Sequence, residues 1–138
     1  SGDNLLFTLR SLPETKGQYA YAPEKWTVND LVQHIIDSEI IFLYRGLRIA
    51  RGYKTPLAGF EQDDYVLSAQ SVYKPLSELI ELFSQTRALT ISLFKSFDPA
   101  SATNTGIANG GEISLRALAF IISGHAQHHN TILKERYL

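Results

Sequence analysis

The chain has 138 residues, with 13 Lys and Arg against 14 Asp and Glu, a formal net charge of −1 and 44% apolar residues. That length suits one domain with its own core, read as residues 1–138, and the apolar share excludes a disordered chain. Near-zero charge without a basic run excludes a phosphate-neutralising face for nucleic acid. No apolar run reaches the ~18 residues that a membrane span requires.

Residues 3–12 (DNLLFTLRSL) carry apolar positions at helical spacing and are followed by Pro13, so they read as a first helix. Residues 13–26, punctuated by Pro13, Gly17 and Pro23, read as loop. Thr27 opens the next element: Thr-Val-Asn-Asp resembles a capping box with Asp30 in place of the usual Glu or Gln. Residues 28–51 then hold no Pro and one internal Gly, Gly46, and Gly52 stands where a C-terminal cap belongs. Their apolar positions spread round the wheel, the pattern of a deeply buried helix.

Residues 53–74 form a long connection, with a short helix expected at 61–70. A connection of that length in a compact domain implies a function, such as lining a pocket, and Asp63-Asp64-Tyr65 offers polar groups there or a solvated turn. Pro75 suits the first turn of the next helix, which runs to Phe97 and stops at Asp98-Pro99. Residues 98–113, rich in Ser, Thr, Asn and Gly, read as a second long loop. Ser114 is the N-cap of a last helix over 115–138. No segment shows strand alternation with hairpin turns. Four helices and two long connections give an all-α four-helix bundle. Helices 28–51 and 75–97 are apolar on more than one face, which predicts a homodimer. Arg45, Arg48 and Arg51 recur at helical spacing and read as a solvated edge with salt bridges.

The chain has no Cys. That removes disulfides, thiolate metal ligands and a protein thiol nucleophile, and it fits a cytoplasmic location. The four histidines are His34, His125, His128 and His129, and none falls in an expected loop. His125 and His129 are separated by about 40° on a helix, on the face that carries Leu118, Ile121, Ile122, Ile132 and Leu133. Two imidazoles at that spacing can converge on one ion. The Glu of the zinc-protease helix is missing, since positions 126 and 127 are Ala and Gln. A third ligand must come from another element, and His34 lies on the other deeply buried helix. Three imidazoles leave room for water or substrate, the pattern of a catalytic site. Zinc, nickel, iron, cobalt and manganese all suit such ligands, with zinc or nickel first. The bland alternative is a set of hydrogen-bonded core histidines.

His128 leaves the shared face by about 60° and reads as a residue behind the site or on the surface, with ligation in place of a neighbour as the alternative. Asp37, three residues after His34, has two open readings. It is a catalytic carboxylate that orients a ligand ring or handles protons, or it is a member of an interhelical charge network. Glu39 reads as the latter, paired with Arg45 or Arg48.

The segment KWTVNDLVQHIIDSEIIFLYRGLRIARGYKTPLAGFEQDDYV and the terminal GHAQHHNTILKERYL together resemble the DinB-like superfamily, in its DinB_2 branch. The resemblance runs from Trp26 onward and includes both histidine-bearing helices. It implies a four-helix bundle with a metal site made by one His of the second helix and an HxxxH pair of the last, here His34, His125 and His129. The first helix looks shorter than the family pattern. Related families include metal-dependent thiol S-transferases and proteins described as metal-dependent hydrolases. The expected function is therefore a metal-dependent enzyme that activates a small-molecule thiol against an electrophilic substrate. The alternatives are hydrolysis by water on the metal and a non-enzymatic metal-binding module.

Overall fold

Local sequence signals set the ends of the helices. A computed structural model describes residues 2–138. Helix α1 spans Gly2–Arg10, α2 Val28–Ala50, α3 Gln62–Ala69, α4 Leu76–Ser96 and α5 Leu115–Ile132. The capping box at the start of α2 is formed in both directions: Thr27 Oγ1 accepts from Asp30 N, and Asp30 Oδ2 accepts from Thr27 N. Gly52 ends the same helix at φ +76°, a conformation that costs glycine little. Ser114 Oγ accepts from Ala117 N and caps α5. The last turn of α5 widens to a π-helical turn over Leu133–Tyr137. There the Tyr137 hydroxyl donates to the Trp26 carbonyl at 2.8 Å and ties the chain end to the entrance of α2.

Helices α1, α2, α4 and α5 form the bundle, as expected from the apolar spacing. One apolar cluster joins Leu5, Leu31, Ile35, Leu79, Phe83 and Leu133. A second joins Ile49, Phe97, Leu115, Leu118 and Ile122. Ile49, near the end of α2, meets Leu115 and Leu118 at the start of α5, so the N-terminal half of α2 lies beside the C-terminal half of α5. His34 and the His125–His129 pair are thereby brought between the two clusters. No helix among the described residues is long and apolar enough to cross a membrane.

The segment 98–113 departs from the loop reading. It contains strand β1, Thr105–Ala108, paired antiparallel with β2, Gly111–Ser114, with Ala108 opposite Gly111. The turn between them is Asn109-Gly110, at φ +52° and +80°. These are the two left-handed positions of a two-residue hairpin, and Asn-Gly is the dipeptide that favours it. The strands escape a periodicity reading because each has four residues and one of them is Gly. Gly106 is needed for packing, since a Cβ there would lie 2.7 Å from Ile49 Cγ1 on α2. Leu57 of the long connection adds a parallel bridge to Ala108. The hairpin thus holds that connection against the bundle.

The arginine edge is also different. Arg45 is buried, 8% exposed, and its Nη2 donates to the Ala58 carbonyl at 2.8 Å. Arg48 hydrogen-bonds the Tyr44 hydroxyl and stacks 4.0 Å from the centre of the Tyr53 ring. Arg51 sits over Phe97. Aromatic rings and a backbone carbonyl take the place of the expected salt bridges. Glu39 does join a charge network between helices, but its partner is Arg87 of α4. Arg87 Nε and Nη2 donate to its carboxylate at 2.7–3.1 Å, and Thr90 Oγ1 donates at 2.8 Å. Glu39 lies on the face of α2 turned toward α4, which the arginines of its own helix cannot reach.

Candidate metal centre

Helix periodicity carries His125 and His129 to one side of α5, and the packing of α2 against α5 brings His34 to meet them. The three residues offer ligand atoms that all lie within 4.8 Å of one another. Nε2 of His125 and Nε2 of His129 are 3.1 Å apart. The ring of His34 packs edge-on to both, with centroids 5.1 Å from His125 and 4.9 Å from His129. Two nitrogens bound to one ion at ~2.1 Å in near-tetrahedral geometry are separated by about 3.1–3.4 Å. The His125–His129 pair already has that separation, so these residues fit a divalent ion without rearrangement of the helix that bears them.

The surroundings keep the imidazoles neutral. Loss of hydration on burial, then the neighbouring His125, hold the pKa of His34 down at about 4. The same two causes, with His34 and His128 adding to them, hold His129 at about 3. His125 is also lowered, by burial first and then by His128, with Glu39 acting in the opposite sense. Neutral imidazole is the form that binds a metal. Between the ordinary value of ~6.5 and about 3, the unfolded chain takes up protons that the folded chain refuses. The metal-free fold should therefore hold a steady stability above that window and lose it as pH falls through it. Denaturant melts of chelator-treated protein between about pH 7.5 and about pH 4.5 check this. A midpoint that stayed constant would contradict it.

Several contacts brace the rings. Ser38 Oγ stands 3.4 Å from His34 Nδ1, one helical turn along α2. Trp26 lies against His34 with centroids 4.9 Å apart, and Phe42 lies edge-on to His125 at 5.6 Å. Nδ1 of His129 is buried without a hydrogen-bond partner among the described residues. His128 is exposed, outside the cluster, with its ring 5.1 Å from that of His129. Asp37 accepts from Gln33 Nε2 at 2.9 Å, while Gln33 Oε1 accepts from Lys74 Nζ at 3.0 Å. Burial pushes the Asp37 carboxyl above its usual range, against Gln33 and Lys74. Of the supporting residues, Ser38 was within reach of sequence reasoning, because it is four residues after His34. Trp26 and Phe42 carry no spacing signal that separates them from ordinary core.

His129 lines a cleft of about 310 Å3 with Tyr21, Lys25, Trp26, Asp63 and Arg136. Asp63 thus comes from the long connection to the neighbourhood of the site. Asp64 and Tyr65 are exposed, with Tyr65 against Phe60.

Comparison with known proteins agrees with the fold. A search of the solved structures finds YfiT from Bacillus subtilis, described as a probable metal-dependent hydrolase with an unusual four-helix bundle topology. It is 16% identical, with a TM-score of 0.84 over 97% of this chain and 78% of that one. A mycothiol-dependent maleylpyruvate isomerase is 12% identical, with a TM-score of 0.80 over 94% of this chain, which spans 55% of the isomerase. No curated protein sequence matches the chain. The family profile described as the DinB superfamily matches residues 1–133. With that match over nearly its whole length and the bundle that carries the histidines, the chain belongs to the DinB superfamily.

Proposed function

We propose that this chain is a metal-dependent enzyme that activates a low-molecular-weight thiol for transfer to an electrophile, with zinc or nickel as its ion. The observation that carries the reading is the convergence of three neutral imidazoles from two helices beside an open cleft. A divalent ion held by three imidazoles supplies Lewis acidity that lowers the pKa of a thiol or water ligand. Ser38 stands against His34 Nδ1, Trp26 packs against His34, and Phe42 packs against His125. The cleft offers both signs of charge, Lys25 and Arg136 with Glu24 and Asp63, and suits a small polar thiol. The chain has no thiol of its own, so the sulfur nucleophile arrives with the cosubstrate. Asp37 joins Gln33 and, through it, Lys74, contacts that favour the charge-network reading over proton handling. Similarity to a mycothiol-dependent isomerase supports the thiol reading. Hydrolysis is the second reading, favoured by the likeness to YfiT.

The test is metal-loaded protein assayed against a generic electrophile and against esters, each with and without a panel of thiols. The transferase reading expects turnover only when thiol and metal are both present. Ester hydrolysis with no thiol present would overturn the transferase reading in favour of the hydrolase, and turnover in neither assay would overturn both.

A further inference from the structure

A second cavity, of about 460 Å3, lies between α2, the hairpin and the start of α5. Its lining includes Phe42, Arg45, Ile113, Ser114, Leu118 and Ile121. Most of this wall is apolar, yet Arg45 lines it as a buried cation. Arg45 is 8% exposed, its Nε has no hydrogen-bond partner, and its one hydrogen bond to the protein goes to a neutral carbonyl. Burial alone lowers its pKa, with no carboxylate acting against it. Glu112 borders the same cavity but is exposed and forms no ion pair with Arg45.

A buried guanidinium without a counter-charge is costly unless something compensates it. The cavity also meets the first turn of α5, the positive end of that helix. Two amides of that turn are taken, Leu115 N by the Asn104 carbonyl and Ala117 N by Ser114 Oγ. Arg45 therefore supplies the strong donor. Its planar fork matches a carboxylate; Nη2 is held by the Ala58 carbonyl and Nε is enclosed, so Nη1 is the donor left for a ligand. Phe42 lines this cavity on one side and touches His125 on the other. Ile121 precedes His125 by one turn of α5, ~6 Å along the axis.

We propose that this cavity binds an organic acid, its carboxylate on Arg45 and its apolar body along Phe42, Leu118 and Ile121 toward His125. In the reading given above, which this assignment of a role rests on, that acid is the electrophilic substrate. Binding itself depends on neither metal nor thiol.

The experiment titrates the full chain, as purified and with no thiol added, with benzoate and with its neutral isostere benzamide. Binding is read by calorimetry and by the Arg45 guanidinium N–H resonance. Benzoate should bind about 10–100-fold tighter than benzamide, the worth of a charge-assisted hydrogen bond, and should shift that resonance. Arg45→Met keeps the apolar packing and should lose the preference. Ile121→Trp, at a position 43% exposed and so tolerant of bulk, should fill the cavity and lose binding with Arg45 intact. Equal affinity for the two ligands would overturn the proposal. So would an unmoved Arg45 resonance, or unchanged benzoate binding in a folded Arg45→Met or Ile121→Trp chain. None of these outcomes depends on the thiol assay, so the cavity and the reaction can fail separately.

Discussion

Replacing His34, His125 or His129 with Ala should lower bound divalent metal from about one ion per chain to near zero, and turnover should vanish with it. The expectation is the same for each because the ion has three protein ligands. Two imidazoles hold an ion far less firmly, and they leave the helix-to-helix bridge broken. His128→Ala should keep its metal, since that side chain is exposed and outside the cluster. Elemental analysis of protein purified without a metal-affinity step measures the stoichiometry. The only tryptophan, Trp26, gives a second readout, because its ring packs against His34. A paramagnetic ion such as nickel should quench its fluorescence in the intact chain and in His128→Ala, and leave it unchanged in the three ligand variants. Full metal content in any one of those three would show that its side chain is no ligand. The helical fold should survive in all of them, since both apolar clusters are made without the rings.

Glu39→Ala should destabilise the fold by about 3–5 kcal/mol. For a chain of this size that is a fall in melting temperature of roughly 10–20 °C. Glu39 is 2% exposed and is held by Arg87 and Thr90. Its removal takes from the Arg87 guanidinium the carboxylate that accepts from Nε and Nη2, in a site that water reaches poorly. Thr90 loses an acceptor at the same time, though it keeps the Thr86 carbonyl. Glu39→Gln retains shape and part of the hydrogen bonding, so it should cost less than Ala. Exchanging both partners, Glu39→Leu with Arg87→Met, should recover much of the loss, because no buried charge remains. Thermal melts of the four proteins check the order. A shift of only a degree or two in Glu39→Ala would mean that the pair is far better solvated than its burial indicates. Glu39 also acts on His125, raising its pKa against the effect of burial. Its loss should therefore be felt at the metal centre as well.

Several features of this protein are legible in its sequence because they are local. The capping box at Thr27 and Asp30 involves residues three apart. The cap at Gly52 and the His125–His129 pair follow from one turn of helix. A period of 3.6 residues decides which side chains share a face, so the histidine pair and the buried nature of α2 could be read directly. Asn109-Gly110 was local too, and the hairpin it closes could have been found from that dipeptide, but the strands it joins are too short and glycine-rich to show alternation. The remaining features are non-local. Periodicity says that Glu39 faces inward but not that it meets Arg87 on α4, 48 positions away. It gives Arg45, Arg48 and Arg51 one spacing, although only Arg45 is buried, because the loop at Ala58 and the hairpin close over it. The same closure makes the cavity beside Phe42. The position of His34 opposite His125 and His129 depends on how α2 pairs with α5. Such meetings are set by the simultaneous packing of all the helices and loops, in which residues far apart in the chain compete for the same space, and only the tertiary structure decides which of them touch.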